Sequence, residues 1–122
     1  MKTFVILGAI LGGLSVAAGA FGAHALRAQL EPRMLEVFET AARYQMYHAL
    51  ALFAAAWLAH QTEAPAAHVA GWAFVAGIVL FSGSLYAMAF TGVRALGAVT
   101  PVGGVAFMVG WAALALAALR LR

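Results

Sequence analysis

Cysteine, aspartate and asparagine are absent from this chain of 122 residues, and charge of either sign is scarce. Without cysteine there are no disulfides, no thiolate nucleophile and no thiolate ligands for an iron–sulfur cluster. Without aspartate the only carboxylate side chains are Glu31, Glu36, Glu39 and Glu63, and charged residues of all kinds make up 9% of the chain. Hydrophobic residues make up 66%. A water-soluble domain of this size needs far more polar surface to stay dissolved. The composition therefore places the protein in lipid. No nucleophile–base–acid arrangement and no phosphate-binding glycine loop is legible, so the residues predict neither an enzyme nor a metal or other cofactor. The formal charge of +3 does not argue for nucleic acid, because the seven cations are scattered and most sit at the ends of apolar runs, where they anchor to headgroups. The expected partners are membrane lipids and either a second copy or another membrane protein.

What the chain does have is four long apolar runs. Four helices of about 20 residues use about 80 residues, because each must cross a hydrocarbon core of roughly 30 Å. The remainder supplies one substantial loop, two short ones and the ends. The sequence thus predicts a single all-α membrane domain, a four-helix antiparallel bundle, with helices at about 3–25, 44–59, 69–91 and 101–119. Lys2, the apolar stretch after it and Ala23-His24-Ala25 imitate a secretory signal with its cleavage site. The uncharged stretch from Thr3 to Ala23 is 21 residues, longer than a usual signal core, and is read as a spanning helix. Within it Gly8, Gly12, Ser15, Gly19 and Ala23 recur at three- to four-residue spacing, a face over which helices approach closely in lipid.

Between the first two runs lies an amphipathic segment. Pro32 suits a first helical turn, Met34, Leu35, Phe38, Ala41 and Ala42 recur at helical spacing, and Glu39 and Arg43 form an i,i+4 pair. It is either a helix on the membrane surface or the wet start of the second spanning helix, extended from residue 32. The second option spans Pro32 to Ala59, about 42 Å at 1.5 Å per residue, which lets its charged turns stand among headgroups. Lys2, Arg120 and Arg122 fall on one side of the membrane, and Arg27, Arg33, Arg43 and Arg94 on the other. The excess after the first helix puts segment 27–43 on the cytoplasmic side of the cell inner (plasma) membrane.

Alternating topology collects the polar residues in one half of the membrane. His24 closes the first run. Arg43, Tyr44, Gln45, Tyr47 and His48 open the second. Ser82, Ser84 and Tyr86 lie in the third as it returns, and Arg94 and Thr100 stand in the turn beyond. These residues form a candidate binding cluster, while the opposite half is mostly Ala, Leu, Val, Gly and Phe. His48 lies about 7.5 Å deeper than Arg43 along a helix, where an ionisable group must face the interior or a polar partner. The plainer reading is an imidazole that hydrogen-bonds a neighbouring helix; the other is a proton-relay, ligand or substrate role. Thr100 with Pro101 suits a helix N-cap followed by its first turn. Trp57, Trp72 and Trp111 fit an aromatic belt towards the other side.

Four ordered motifs carry a resemblance: Gly19-Ala20-Phe21-Gly22-Ala23-His24-Ala25-Leu26, Arg43-Tyr44-Gln45-Met46-Tyr47-His48-Ala49-Leu50, Phe81-Ser82-Gly83-Ser84-Leu85-Tyr86 and Thr100-Pro101-Val102-Gly103-Gly104. The chain resembles, over its whole length, the YgdD-like small inner-membrane family, also called domain-of-unknown-function family 423. The resemblance implies a four-helix integral protein of bacterial inner membranes with no established activity. It also implies that His24, Arg43, Tyr44, Gln45, Tyr47, His48, Ser82, Ser84, Tyr86, Thr100 and Pro101 occupy motif positions.

Three functions fit. The first is a non-enzymatic scaffold or lipid- or small-molecule-binding bundle, with Arg43 and Arg94 suited to phosphate. The second is a small transporter or channel using His48, handicapped because no glutamate lies inside a spanning run. The third, a haem or metal site on His24 and His48, lacks a third ligand.

Overall fold

The computed structural model describes residues 1–122 apart from the side chain of Ala23. It is all-helical. Helix α1 runs Lys2–His24, α2 Pro32–Thr62, α3 Pro65–Gly77, α4 Gly83–Thr91 and α5 Thr100–Ala118; a π turn, Ile78–Ser82, joins α3 to α4, and a 3-10 turn, Arg94–Ala98, precedes α5. Each of the three prolines stands in the first turn of a helix, where the missing N–H leaves no carbonyl unserved. The α4 helix stops at Gly92, whose φ of 71° lies in the left-handed region that glycine enters freely. Glu63 ends α2 in the same region at φ 53°, where a side chain is strained.

The amphipathic segment is not a separate surface helix. It forms the first turns of α2, which continues unbroken for 31 residues. Three stretches are long and apolar enough to cross a membrane: Lys2–Gly22, Pro65–Thr91 and Arg94–Ala118. The α2 helix falls outside that set because Arg43, Gln45 and His48 lie in its middle and His60 and Gln61 near its end. Yet α2 is the central element, packed against α1, α3, α4 and α5.

Close packing rests on rings set into glycine notches. A Cβ on Gly71 would stand 2.3 Å from the Phe4 ring, one on Gly77 2.2 Å from Phe107, and one on Gly110 2.6 Å from Phe74. On α1, Gly8 and Gly12 face Ala49 of α2, and Gly22 faces Phe38, whereas Gly13 and Gly19 meet nothing within 4 Å. The small-residue face of α1 thus packs on α2 only in part, and Ala23 lies outside the described residues. Gly103 of α5 lies against the backbone of Phe81 in the π turn, so close that a Cβ would be 2.3 Å from its nitrogen.

Candidate functional site

Five polar side chains are buried: Ser15, Gln45, His48, Ser82 and Ser84. Lipid offers no water to hydrogen-bond them, so each must find a partner in protein. Ser15 of α1 donates to the Ala42 carbonyl of α2 at 2.6 Å. The Gln45 amide donates to the Leu11 carbonyl of α1 at 2.8 Å and accepts from the Tyr86 hydroxyl of α4 at 2.7 Å, so one side chain ties three helices together. Ser82 donates to the Ala41 carbonyl at 2.8 Å. Ser84 donates to the Phe81 carbonyl at 2.9 Å, which leaves its oxygen to accept from Thr100 of α5 at 2.6 Å. Among the described residues, no buried side-chain nitrogen or oxygen lacks a partner.

His48 is held at both ring nitrogens and stacked on one face. The Trp111 indole N–H lies 3.1 Å from its Nε2. An indole can only donate, so Nε2 accepts. The proton therefore sits on Nδ1, which donates to the Tyr44 carbonyl one turn back at 2.7 Å. The ring stacks on Phe107 with centroids 3.5 Å apart and planes within 7°. Tyr44, Phe74, Phe107 and Trp111 are its aromatic neighbours, and His24, exposed at the end of α1, is not among them.

The structure therefore sets Gln45, His48, Ser82, Ser84, Tyr86 and Thr100 between helices, in separate bonded sets, places Tyr44 against His48, and leaves His24, Arg43, Tyr47 and Arg94 outside. Arg43 is exposed and reaches only Glu39, at 3.9 Å. Tyr44, Tyr47 and Arg94 are exposed as well. Thr100 is not an N-cap: α5 begins at Thr100 itself, and its hydroxyl is taken by Ser84. The π turn lies beside this network. Gly83 N–H reaches back to the Ile78 carbonyl, a five-residue step. That extra residue changes the phase of α4 relative to α3, with Ser82 set against α2.

The family described as "Protein of unknown function (DUF423)" matches residues 18–104. The chain belongs to this family. Curated relatives cover nearly all of it. The chain is 49% identical over 121 residues to the UPF0382 membrane protein YwdK of Bacillus subtilis, an alignment covering 98% of each. It is 47% identical to a UPF0382 membrane protein of Staphylococcus epidermidis, again over 98% of each. A UPF0382 membrane protein of Staphylococcus saprophyticus is 46% identical, over 99% of this chain and all of its own length. No solved structure matches the chain. With three apolar spans and relatives described as membrane proteins, this DUF423 chain is a membrane protein.

Two lateral grooves flank the polar network of this family member. One, of 660 Å³, separates α1 from α4; Leu14 and Phe21 form one wall, Phe90 the other, and Gln45 lies on its floor. The second, of 430 Å³, lies between α2 and α5 beside His48, lined by Tyr44, Tyr47, Phe81 and Met108. Sequence reasoning missed two members of the network. Ser15 was visible only as a small residue in a packing stripe, and Trp111 as a belt aromatic. The spacing of Ser15 from Leu11, one turn apart on the face that meets Gln45 and Ala42, was the available signal for the first. Nothing local pointed to the second.

Proposed function

We propose that the protein is a non-enzymatic scaffold of the plasma membrane (the inner membrane where there are two), a four-span bundle with segment 27–43 on the cytoplasmic side. A fourth span is supported by the outward face of α2. From Tyr44 to Trp57 that face is Tyr44, Tyr47, Leu50, Phe53, Ala54 and Trp57, while Gln45 and His48 turn inward. Two of the residues that lower the hydropathy of α2, Gln45 and His48, are thus turned away from lipid. Arg43, on the early turns of α2, and Arg94, in the turn before α5, are exposed and suit phosphate headgroups on one side.

One observation carries the scaffold reading: the polar network is a set of short closed chains, each ending on a backbone carbonyl. Its protons run to the carbonyls of Leu11, Ala41, Ala42, Tyr44 and Phe81. A backbone carbonyl accepts a hydrogen bond but passes no proton on, so these chains do not join into a relay. They are arranged as interhelical staples, with the grooves left to lipid.

The chain has no native cysteine, so single cysteines report cleanly. With four spans, Gln29→Cys and Gln61→Cys react with an impermeant maleimide from opposite sides of the membrane; labelling from the same side leaves α2 on the surface and removes the fourth span. In proteoliposomes carrying a pH gradient, wild type and His48→Phe should both leak at the rate of empty vesicles. Proton flux above that rate, abolished by His48→Phe, overturns the scaffold reading in favour of transport.

A further inference from the structure

The groove between α1 and α4 has a floor that the staples leave unfinished. Its walls are Leu14, Phe21, Phe38 and Phe90, no charged side chain lines it, and Gln45 and Tyr86 alone bring polar side-chain atoms to it. Gln45 is only 5% exposed. The Leu11 carbonyl can only accept, so the amide nitrogen of Gln45 faces it and the amide oxygen faces the Tyr86 hydroxyl. An amide nitrogen carries two hydrogens, and one is spent on Leu11. Among the described residues the second hydrogen has no acceptor, and the Tyr86 oxygen, which donates, accepts from no side chain. A free donor and a free acceptor therefore stand at the two ends of one 2.7 Å bond. They lie below the helix ends. At 1.5 Å per residue Leu11 is about 20 Å along α1 from His24, and Tyr86 about 7.5 Å along α4 from Thr91. In hydrocarbon an unserved N–H is costly.

We propose that this groove is a binding site for a neutral lipid alcohol, an apolar molecule with one hydroxyl and no charge. A hydroxyl is the smallest group that both accepts from the Gln45 N–H and donates to the Tyr86 oxygen. A ketone or an ester only accepts, and leaves Tyr86 unserved. A phospholipid would have to bring its phosphate down from the headgroups to a groove without a cation, and its acyl chain alone offers the floor nothing. The groove's 660 Å³ falls in the range of small-molecule sites, about 300–1,000 Å³. The apolar body of the alcohol would lie between Leu14 and Phe21 on one side and Phe90 on the other. This deepens the scaffold reading, on which it rests only in that the groove opens to lipid.

The test uses the full chain in phosphatidylcholine vesicles and three photoreactive probes: octanol with a diazirine on its third carbon, the methyl ether of that alcohol, and the matching octane. Mass spectrometry reads the label on Leu14, Phe21 and Phe90, relative to that on Val102, Val105 and Met108 of the outward face of α5, which corrects for unequal partitioning. Two hydrogen bonds in a membrane favour the alcohol over the octane on the order of tenfold, and the ether, which can accept but not donate, about threefold. Gln45→Leu should bring the three probes level. Tyr86→Phe breaks the same staple but leaves the amide with a free N–H and a free oxygen, so the alcohol should stay ahead of the octane. Equal labelling of the groove by the three probes in wild type overturns the proposal, as a water on the floor would produce. So does a ranking that survives Gln45→Leu, or one lost equally in Tyr86→Phe, which would trace it to packing. If Gln45→Leu does not fold, the wild-type ranking decides alone. Proton flux reports on the scaffold reading separately. Flux abolished by His48→Phe together with a preference for the alcohol removes the scaffold and keeps the site, whereas no flux with equal labelling does the reverse.

Discussion

The two halves of this bundle solve one packing problem by different means. In the half near the α1–α2 link, helices are held by side chains that donate to another helix's backbone or side chain, as Ser15, Gln45, Ser82 and Tyr86 do. In the half near the α2–α3 link, Leu52, Ala55, Ala70 and Phe74 are buried, and Phe4 fills the notch at Gly71. Lipid supplies no hydrophobic force to bring helices together, so each half needs something else. The ring-and-notch half relies on dispersion and tolerates no added volume. The stapled half relies on directional bonds, each replaceable at modest cost because the unfolded chain in a membrane also finds partners, and on one backbone notch of its own, Gly103 against Phe81. The contrast teaches that steric fit, not the polar network, should be the stiffer constraint.

Substitutions can break or sharpen that contrast. The largest effect is expected at Gly103→Ala, where the added Cβ meets the Phe81 backbone, which cannot rotate away. Unfolding in mixed micelles should show a loss of about 3 kcal/mol, the upper end for overpacking. Gly71→Ala should cost less, about 1–2 kcal/mol, because the intruding group meets a side-chain ring at the start of α1. Next come the staples. Gln45→Leu should cost about 1–2 kcal/mol, and a double-mutant cycle with Tyr86→Phe should give a coupling between about 0.6 and 1.7 kcal/mol. A coupling near zero would mean that the Gln45–Tyr86 bond holds nothing. His48→Phe keeps a ring on Phe107 but removes the acceptor for Trp111, so it should cost about 1 kcal/mol and shift indole emission. Gly13→Ala and Gly19→Ala, which meet open space, should stay within about 0.5 kcal/mol of wild type. If either cost as much as Gly103→Ala, the outward face of α1 would be covered in the membrane by something other than lipid.

Much of this was legible before any coordinates. The positions of α1 and α5 follow from where apolar runs begin and where prolines can stand, whereas the sequence left open whether residues 32–43 formed a surface helix or the start of α2, and packing decided for the second. The gathering of Gln45, Ser82, Ser84 and Tyr86 followed from alternating topology, which returns the third run to the level of the second. Depth could be read; rotation could not. Arg43, Tyr44 and Tyr47 share the level of Gln45 and His48, yet point outward, because adjacent residues on a helix diverge by roughly 100° and only packing says which face is inside. Trp111 could be a belt residue or a donor to His48 for the same reason. Thr100 carried the sequence marks of a cap, but α5 begins at Thr100 itself and its hydroxyl bonds Ser84 of α4, a partner that only packing supplies.

The amino-acid order alone determined the solvent, the helical class, the approximate ends of each run and the polarity of each half. These depend on composition and on short-range spacing, which every stretch of chain carries within itself. Tertiary structure decided the rotation of each helix, the π turn at Ile78–Ser82 and the identity of every hydrogen-bond partner. Those depend on surfaces far apart in sequence meeting at one distance and one angle. A glycine notch in α5 has no meaning until the backbone of Phe81 arrives to fill it.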